Sequence, residues 1–442
     1  MDKAVLKTLL QDSGVVGAGG AGFPTYAKID ERAQTIILNC CECEPLLRLH
    51  RQLLEKHPDE VLTAFHTVMK TVGAKEGIIG LKKAYTKTIE ALNSVLDKYE
   101  GLRIKTVDQV YPAGDEVVLI YEVTGKVVRP GGLPIESGVA VFNVETMYNL
   151  YKAMQGEPVT DKLVTLACEV KKPKTVRVPL GATLEEVVKL GGGETVEDSV
   201  YFVGGPMMGN IMPKTATVTK TTNAILVLPK DHYLVKRKNS NNKINLKRAA
   251  ASCCQCNMCT DLCPRNLLGH PIDPSRFMLA TICKNSTDTQ AFMGALYCSN
   301  CGLCELYACT QELSPRTLLA EMKNALRIAG VKPDPNVQAK GVNKAREHRK
   351  APLKRLAARL NLTQYISPAP LENEFVSMDV VKECLSQHIG APAVPVVKQG
   401  TVVKKGQLIA QANKGLSVNI HASIDGLVTD VTKQYIEIKK IR

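Results

Sequence analysis

The sequence lacks any run of 18 or more apolar residues, so it predicts no transmembrane helix. It also lacks the apolar core of a secretory signal peptide over its first 14 residues. Disulfide bonds persist mainly in oxidising compartments, which proteins without such a signal do not usually reach. We therefore expect a cytoplasmic protein whose 15 cysteines are reduced or bound to metal.

No nucleic-acid-binding motif accompanies the formal net charge of +14, so nucleic acid is not expected as a partner. A positive charge would also suit a membrane surface or an acidic protein. The densest basic run, residues 340–359, contains eight Lys or Arg residues and a single acidic residue, Glu347. We interpret this run as a solvated or partner-docking helix. The chain length of 442 residues suggests about three domains.

Eight cysteines between residues 253 and 309 form two similar sets. The first set has the spacing C-x2-C-x2-C-x3-C and is followed by Pro264, as in bacterial ferredoxins that bind [4Fe-4S] clusters. The second set repeats this spacing with one extra residue before its last cysteine. The sequence therefore predicts two [4Fe-4S] clusters, and the predicted metal ligands are Cys253, Cys256, Cys259, Cys263, Cys298, Cys301, Cys304 and Cys309.

The fourth cysteine of each set is expected to bind the other cluster, as in two-cluster ferredoxins. Under this hypothesis Cys309 joins the first three cysteines, and Cys263 joins the second three. Zinc is the alternative metal, but it takes four ligands, usually from two separated C-x2-C pairs, and would leave one cysteine of each triplet unused. We interpret Cys254, beside the first ligand, as a spare.

A glycine-rich segment, residues 14–28, could bring backbone amides close to a phosphate. It contains G-x-G-x-x-G, but a dinucleotide fold is disfavoured because a helical pattern precedes it and a Phe-Pro pair would stop a helix at its end. Residues 35–39 form a buried-strand pattern that leads into Cys40, Cys41, Glu42, Cys43 and Glu44. A redox-active disulfide between Cys40 and Cys43 is a further alternative.

Four ordered motifs resemble the flavin- and NADH-binding segment shared by the complex I flavoprotein subunit and the Rnf complex C subunit. They are GAGGAGFPTYAK, NCCECEP, YPAGDE at residues 111–116 and NVET at residues 143–146. The resemblance implies an FMN cofactor and NADH as the electron donor. This chain has Ala18 where complex I has arginine and Cys41 where it has aspartate. Both departures concern the NADH side of the site.

The same resemblance implies roles for individual residues. Glu42 and Glu116 are given catalytic roles beside the flavin and the nicotinamide. The residues that bind or line the cofactors are Gly17, Gly19, Gly20, Ala21, Phe23, Lys28, Asn39, Glu44 and Asn143. Among these, Lys28 is expected to meet the FMN phosphate and Phe23 to stack on a ring.

The expected fold class is multidomain α/β and α+β. We expect a Rossmann-like FMN/NADH α/β domain over residues 1–155 and an SLBB-type β-grasp domain over residues 156–230. A flexible linker over residues 229–245 would lead to a helical dicluster ferredoxin domain over residues 245–330. A basic helical connector, residues 331–384, precedes a C-terminal barrel-sandwich hybrid over residues 385–442. The last domain resembles lipoyl carriers, but their modified lysine falls on Gly415, so it is expected to be unmodified.

This domain order resembles that of the cobalamin reductases of propanediol-utilisation microcompartments. The resemblance implies electron transfer from NADH through FMN and two [4Fe-4S] clusters to cob(II)alamin, giving cob(I)alamin. Cobalamin or a cobalamin-handling protein, a microcompartment shell protein and an adenosyltransferase are the implied partners. One alternative is an Rnf-C-like subunit that delivers NADH electrons to another reductase or to a membrane complex. Another is a docking iron–sulfur protein without NADH activity.

Overall fold

The first sheet is parallel and covered by helices, because its strands are almost continuously apolar. The computed structural model describes residues 1–285 and 287–441. The strands are β1 (Thr35–Cys40), β2 (Glu76–Lys82), β3 (Leu102–Val107) and β5 (Val139–Asn143), and their order across the sheet is β3-β2-β1-β5. The short strand β4 (Val110–Tyr111) lies outside this sheet. All strand pairs in the sheet are parallel.

Six helices accompany this sheet: α1 (Lys3–Asp12), α2 (Leu49–Lys56), α3 (Pro58–Val72), α4 (Thr86–Asn93), α5 (Glu116–Thr124) and α6 (Val144–Met154). Helices α5 and α6 both begin at polar caps. The Asp115 carboxylate accepts hydrogen bonds from the amides of Val117 and Val118, both at 3.1 Å. The Asn143 side chain accepts from the Glu145 amide at 2.9 Å. Asn143 ends β5 as well as capping α6, so the motif containing it lies where parallel folds usually bind ligands.

The second sheet has six strands in the order β12-β7-β6-β10-β8-β9. Its elements are β6 (Asp161–Cys168), β7 (Lys174–Pro179), α7 (Leu184–Leu190), β8 (Ser199–Val203), β9 (Asn210–Met212), β10 (Ala224–Pro229) and, from much later in the chain, β12 (Leu371–Phe375). Helix α7 begins at Thr183, whose hydroxyl accepts from the Glu186 amide in a capping box.

The cysteine-rich region is helical. Its helices are α8 (Tyr233–Lys238), α9 (Asn242–Ser252), α10 (Met258–Asp261), α11 (Pro264–Leu267), α12 (Pro274–Ile282), α13 (Thr289–Met293) and α14 (Pro315–Ile328). None of the helices within residues 1–285 and 287–441 combines the length and the apolar character needed to cross a bilayer.

Two small sheets close the chain. One has the order β13-β19-β18-β15 and the other β14-β16-β17. The strands are β13 (Val380–Cys384), β14 (Val394–Pro395), β15 (Val402–Val403), β16 (Leu408–Gln411), β17 (Ile420–His421), β18 (Gly426–Val431) and β19 (Tyr435–Lys439). We call β13 to β19 the C-terminal module. It begins at β13, five residues before the boundary expected from the sequence.

The segment expected to be a helical connector differs from that expectation. Only α15 (Leu353–Arg359) is α-helical, whereas β11 (Ala351–Pro352) pairs with β4, β12 joins the second sheet and β13 joins the C-terminal module. Its basic side chains are also not simply solvated. Arg346 is buried, and both Arg346 and Lys350 contact the Glu122 carboxylate on α5, at 2.5 and 3.1 Å. Long-range pairing therefore prevails over the local pattern.

The stretch expected to be a flexible linker contains α8. The guanidinium of Arg237 on this helix is buried and donates to the Leu313 carbonyl at 2.7 Å. The Lys238 ammonium donates to the Gly209 carbonyl at the same distance. These bonds attach the stretch both to the cysteine-rich region and to the second sheet.

Glu145 and Lys162 form a buried ion pair between α6 and β6, with side chains 3% and 1% exposed. We expect Glu145→Ala to destabilise the protein by about 3–5 kcal/mol, because the ammonium of Lys162 would be buried without a partner. The measurement is the shift of the urea transition that unfolds this region.

The matched control is Glu185→Ala, which removes the carboxylate from an exposed pair with Lys189 on α7. Its expected effect is within about 0.5 kcal/mol. Equal shifts for the two variants would contradict a structural role for the buried pair.

Candidate functional site

A cavity of about 310 Å³ lies where β1, β5 and α5 meet the glycine-rich segment. Nine of the eleven cofactor and catalytic residues predicted from sequence line it: Gly17, Gly19, Gly20, Ala21, Phe23, Lys28, Asn39, Glu116 and Asn143. The four motifs are spread over residues 17–146, and the fold brings part of each to this one cavity. Its volume is in the range of small-molecule sites in proteins.

The glycine-rich segment folds as a loop closed by its own backbone. The Gly17 amide donates to the Phe23 carbonyl at 2.9 Å. The Ala18 amide donates to the Thr146 hydroxyl at 3.0 Å. A side chain at Gly19 would overlap the Asn143 amide group, whose Cγ would lie 3.1 Å from the added Cβ. The close approach of the Asn143 side chain therefore favours glycine at position 19.

Two polar side chains are available to a phosphate or a flavin in this cavity. The Lys28 ammonium donates to the Glu116 carboxylate and to the Val141 carbonyl, both at 3.0 Å. The Thr25 hydroxyl is 1% exposed and has no hydrogen-bond partner in the described part of the chain. A buried hydroxyl without a partner costs free energy, so a ligand atom beside Thr25 would satisfy it. This arrangement fits FMN.

A second cavity of about 120 Å³ adjoins the first and shares Gly19, Asn39, Gly114 and Asn143 with it. The two remaining predicted residues, Glu42 and Glu44, line this second cavity. Both carboxylates already accept backbone hydrogen bonds. Glu42 accepts from the amides of His50 and Arg51 at 2.9 and 3.3 Å, which caps α2. Each carboxylate oxygen keeps a further lone pair and can accept a second hydrogen bond. The predicted contact with a ribose hydroxyl is therefore compatible with these bonds and stays a prediction.

Glu44 connects this cavity to the loop at residues 204–209. Its carboxylate accepts hydrogen bonds from the amides of Met207 and Met208 at 2.8 and 3.0 Å. Burial raises the pKa of Glu44 to about 7. A side chain at Gly205 would overlap the Glu44 carboxylate, which explains the glycine there. Met207 in turn packs beside Gly302, which follows Cys301, so the loop connects the second cavity to the cysteine-rich region.

The residues of the YPAGDE motif connect the first cavity directly to the cysteines. Gly114 and Glu116 line the cavity. The Tyr111 hydroxyl donates to the Cys301 carbonyl at 2.6 Å, and the Asp115 carboxylate pairs with Arg265 at 2.9 Å. Arg265 lies two residues after Cys263, so one six-residue segment contacts the cavity and two of the cysteine segments.

The structure sorts the eight predicted ligands into two groups. Cys253, Cys256, Cys259 and Cys309 line one small cavity, which Cys254 also lines, and we call these four predicted ligands the outer quartet. Burial raises the pKa of Cys304 well above its usual value, and the adjacent thiols of Cys298, Cys301 and Cys263 raise it further. We call these four the inner quartet. Each quartet takes its fourth cysteine from the other set, in agreement with the crossed arrangement expected from the spacing.

The two cysteine loops repeat one backbone conformation. Gln255 and Asn257 in the first loop, and Asn300 and Gly302 in the second, all have positive φ, at 53°, 63°, 57° and 80°. Non-glycine residues adopt this conformation rarely. The amides of Asn300 and Leu313 also donate to the sulfurs of Cys298 and Cys309, both at 3.3 Å. Two equivalent loops with eight thiols fit iron–sulfur ligation.

Sequence reasoning missed several residues of the site. Thr25, Gly114 and Thr146 belong to motifs that it did identify, so those motifs were the available signal. His50 and Asn223, which line the second cavity, stand outside all four motifs. Burial lowers the pKa of His50. Asn223 comes from the second sheet's domain, and no local pattern in the sequence relates it to the other residues.

Comparison with known proteins agrees with this geometry. The family model of the Nuo51 FMN-binding domain matches residues 10–152, and that of the SLBB domain matches residues 163–210. The 4Fe-4S dicluster domain matches residues 252–314, and the RnfC barrel sandwich hybrid domain matches residues 364–440. The fold class and the family resemblance expected from the sequence are therefore confirmed.

Three relatives are informative. The cobalamin reductase PduS of Citrobacter freundii is 38% identical over 440 residues, which cover 99% of this chain and 97% of that protein. PduS of Salmonella typhimurium strain LT2 is 39% identical, with 98% of this chain and 96% of that protein covered. The C subunit of the Na(+)-translocating ferredoxin:NAD(+) oxidoreductase complex of Acetobacterium woodii is 31% identical, covering 60% of this chain and 59% of that protein.

Among solved structures, an NAD+-reducing [NiFe]-hydrogenase in the H2-reduced state matches with a TM-score of 0.51 at 21% identity. The match covers 76% of this chain and 68% of that one. At this identity the likeness shows the fold alone.

The fold and the two adjacent centres define a flavin- and iron–sulfur-dependent electron-transfer oxidoreductase. The identities of 38% and 39% over almost the full length of the chain then specify the family. The chain belongs to the family of the cobalamin reductase PduS.

We expect Gly19→Ala to weaken FMN binding, because the added methyl group displaces Asn143 or narrows the cavity. Overpacking of this kind costs about 1–3 kcal/mol, which is about 5- to 150-fold in the dissociation constant. The control is Glu185→Ala, which changes an exposed side chain on α7 outside both cavities. Flavin fluorescence titration of the apoprotein measures both. An equal loss of affinity in the two variants would contradict the assigned contact.

Proposed function

We propose that this protein passes electrons from NADH through FMN and two [4Fe-4S] clusters to cob(II)alamin, giving cob(I)alamin. The observation that most supports this proposal is the segment 111–116. Two of its residues line the proposed flavin cavity, and two others bond to the segments of the inner quartet. The flavin site and the inner quartet are therefore connected by one short backbone segment and the contacts of its side chains, which supports electron transfer between them within one chain.

Residues of the first cavity would hold the cofactor. The loop amides of Gly19 and Gly20, the Thr25 hydroxyl and the Lys28 ammonium offer donors for a phosphate group. Phe23 and the glycines provide the apolar and close-packed surfaces of the cavity. When bound, FMN supplies the capacity to accept two electrons as hydride and to give them up singly.

The second cavity is the proposed place of the nicotinamide nucleotide. It adjoins the first cavity at Gly19 and Asn143, which line both cavities, and it is also lined by Glu42 and Glu44. In this role Glu42 and Glu44 would accept hydrogen bonds from ribose hydroxyls, and Glu116 would lie beside the reacting rings. The buried His50, whose pKa burial lowers, adds no positive charge to this cavity at neutral pH.

We propose that electrons leave through the two quartets in order of burial. In the inner quartet Cys263, Cys298 and Cys304 are buried, and that quartet contacts the flavin-binding motif through Cys301. The outer quartet includes the exposed Cys256. A cluster held by the outer quartet would be the one accessible to an acceptor in solution.

The acceptor is proposed from the relatives, since cobalamin reductase is the name of the two proteins that match almost the entire chain. On the same basis we propose a cytoplasmic location within a propanediol-utilisation microcompartment. A shell protein and an adenosyltransferase are the corresponding partners.

The test is a strictly anaerobic assay of the purified protein with NADH and cob(II)alamin, followed by absorbance. We expect NADH-dependent formation of cob(I)alamin by the wild-type protein. In Gly19→Ala the rate of this reaction should be lower, and added FMN should restore it. Bleaching of flavin and clusters without cob(I)alamin would instead indicate delivery to another reductase. Absence of any NADH-dependent bleaching would indicate a docking iron–sulfur protein.

Cluster number is tested separately by iron analysis. We expect about eight iron atoms per chain in the wild-type protein and about four in Cys256→Ala, because one quartet loses a ligand. Cys254→Ala is the matched control, since the neighbouring Cys254 is an exposed thiol outside both quartets. A wild-type protein that binds zinc in place of iron would contradict the proposed relay.

A further inference from the structure

The glycine-rich loop, residues 14–23, is held at both ends by parts of the chain that are more than 190 residues away in sequence. The C-terminal module provides most of these contacts. Its strands resemble those of lipoyl carriers, which move a modified lysine on an exposed hairpin between partners. In this protein hydrogen bonds instead attach the equivalent hairpin to the flavin-binding region.

At the first end of the loop, the buried amino group of Lys220 joins three segments. The Lys220 ammonium donates to the Gly14 carbonyl at 2.7 Å and to the Asn419 carbonyl of the C-terminal module at 3.1 Å. Gly14 has φ = 71°, and an added Cβ would lie 2.5 Å from both the Lys220 ammonium and the Asn419 oxygen. Lys220 is 2% exposed, so its partners cannot be replaced readily by water.

At the other end of the loop, Gly22 contacts the C-terminal module directly. The Ile389 amide donates to the Gly22 carbonyl at 3.2 Å. Gly22 has φ = 73°, and an added Cβ would lie 3.1 Å from the Gln387 carbonyl oxygen. The Gln387 side chain also accepts a hydrogen bond from the Lys220 amide at 3.1 Å. The two ends are therefore held by one connected set of residues.

The hairpin between β16 and β17 supplies the third contact. The Tyr26 hydroxyl donates to the Gly415 carbonyl at 3.2 Å and accepts from the Ser417 amide at 3.4 Å. The Gln11 side chain donates to the Ser417 carbonyl at 3.2 Å. Gly415 is the position where a lipoyl carrier would have its lysine. A hairpin bonded in this way cannot move between partners while the contacts persist.

We propose that the C-terminal module is a fixed brace that holds the glycine-rich loop in its FMN-binding conformation, with Lys220 and Tyr26 as positioning residues. A loop so rich in glycine has many conformations, and ordering it during binding would lower the affinity for a ligand. A brace that orders the loop in advance removes this cost. The inference rests on the proposed placement of FMN in the first cavity.

The test compares Lys220→Met and Tyr26→Phe with Lys433→Met, which changes an exposed lysine in a turn of the same module. The dissociation constant of FMN is measured by fluorescence on the full-length protein from which flavin has been removed, and the iron content is measured in parallel. We expect Lys220→Met to raise the dissociation constant at least about tenfold and Tyr26→Phe to raise it less. Iron content and the Lys433→Met affinity should match the wild-type protein.

Hydrogen exchange of the amides in residues 14–23, measured without FMN, tests the ordering of the loop directly. Faster exchange in Lys220→Met and Tyr26→Phe is the expected result. Dissociation constants within about twofold of wild type, or unchanged exchange, would overturn the brace. If Lys220→Met loses iron and does not fold, Tyr26→Phe decides the outcome alone. A wild-type protein that binds no FMN would refute the proposed function, whereas equal binding by all the variants would refute only the brace.

Discussion

The connection between the flavin cavity and the cysteines depends on the six residues from Tyr111 to Glu116. Gly114 must approach the backbone of Cys41 so closely that a Cβ would overlap the Cys41 carbonyl. That approach places Glu116 at the cavity and leaves Tyr111 and Asp115 facing the cysteine-rich region. A change in this turn would therefore alter the cavity and its distance from the inner quartet together.

Other contacts hold the parts of the chain around this segment. Glu44 accepts the amides of the loop at residues 204–209, and Met207 of that loop packs on Gly302. The Glu145–Lys162 pair joins the first domain to the second sheet. Each of these contacts lies within a few residues of a cavity-lining side chain. The second sheet and the cysteine-rich region thus hold the residues of the site in place.

Much of this arrangement could be predicted from the sequence, because the relevant signals are local. The cysteine spacing, the dense glycines and the buried-strand pattern of β1 each depend on a few adjacent residues. The partners of Tyr26, Glu44 and Lys220 could not be predicted, since they come from distant segments that only the fold brings together. The basic run at residues 340–359 suggested a helix, but Pro352 and the distant Glu122 favour a paired strand and buried contacts there.

The order of the two quartets is the central claim, and freeze-quench electron paramagnetic resonance of Cys256→Ala tests it most directly. After mixing with NADH, the remaining cluster should be reduced at the wild-type rate while cob(I)alamin formation stops. This result would indicate that the inner quartet precedes the outer one. A variant with no reduced cluster signal, or one that still forms cob(I)alamin at the full rate, would contradict the proposed path.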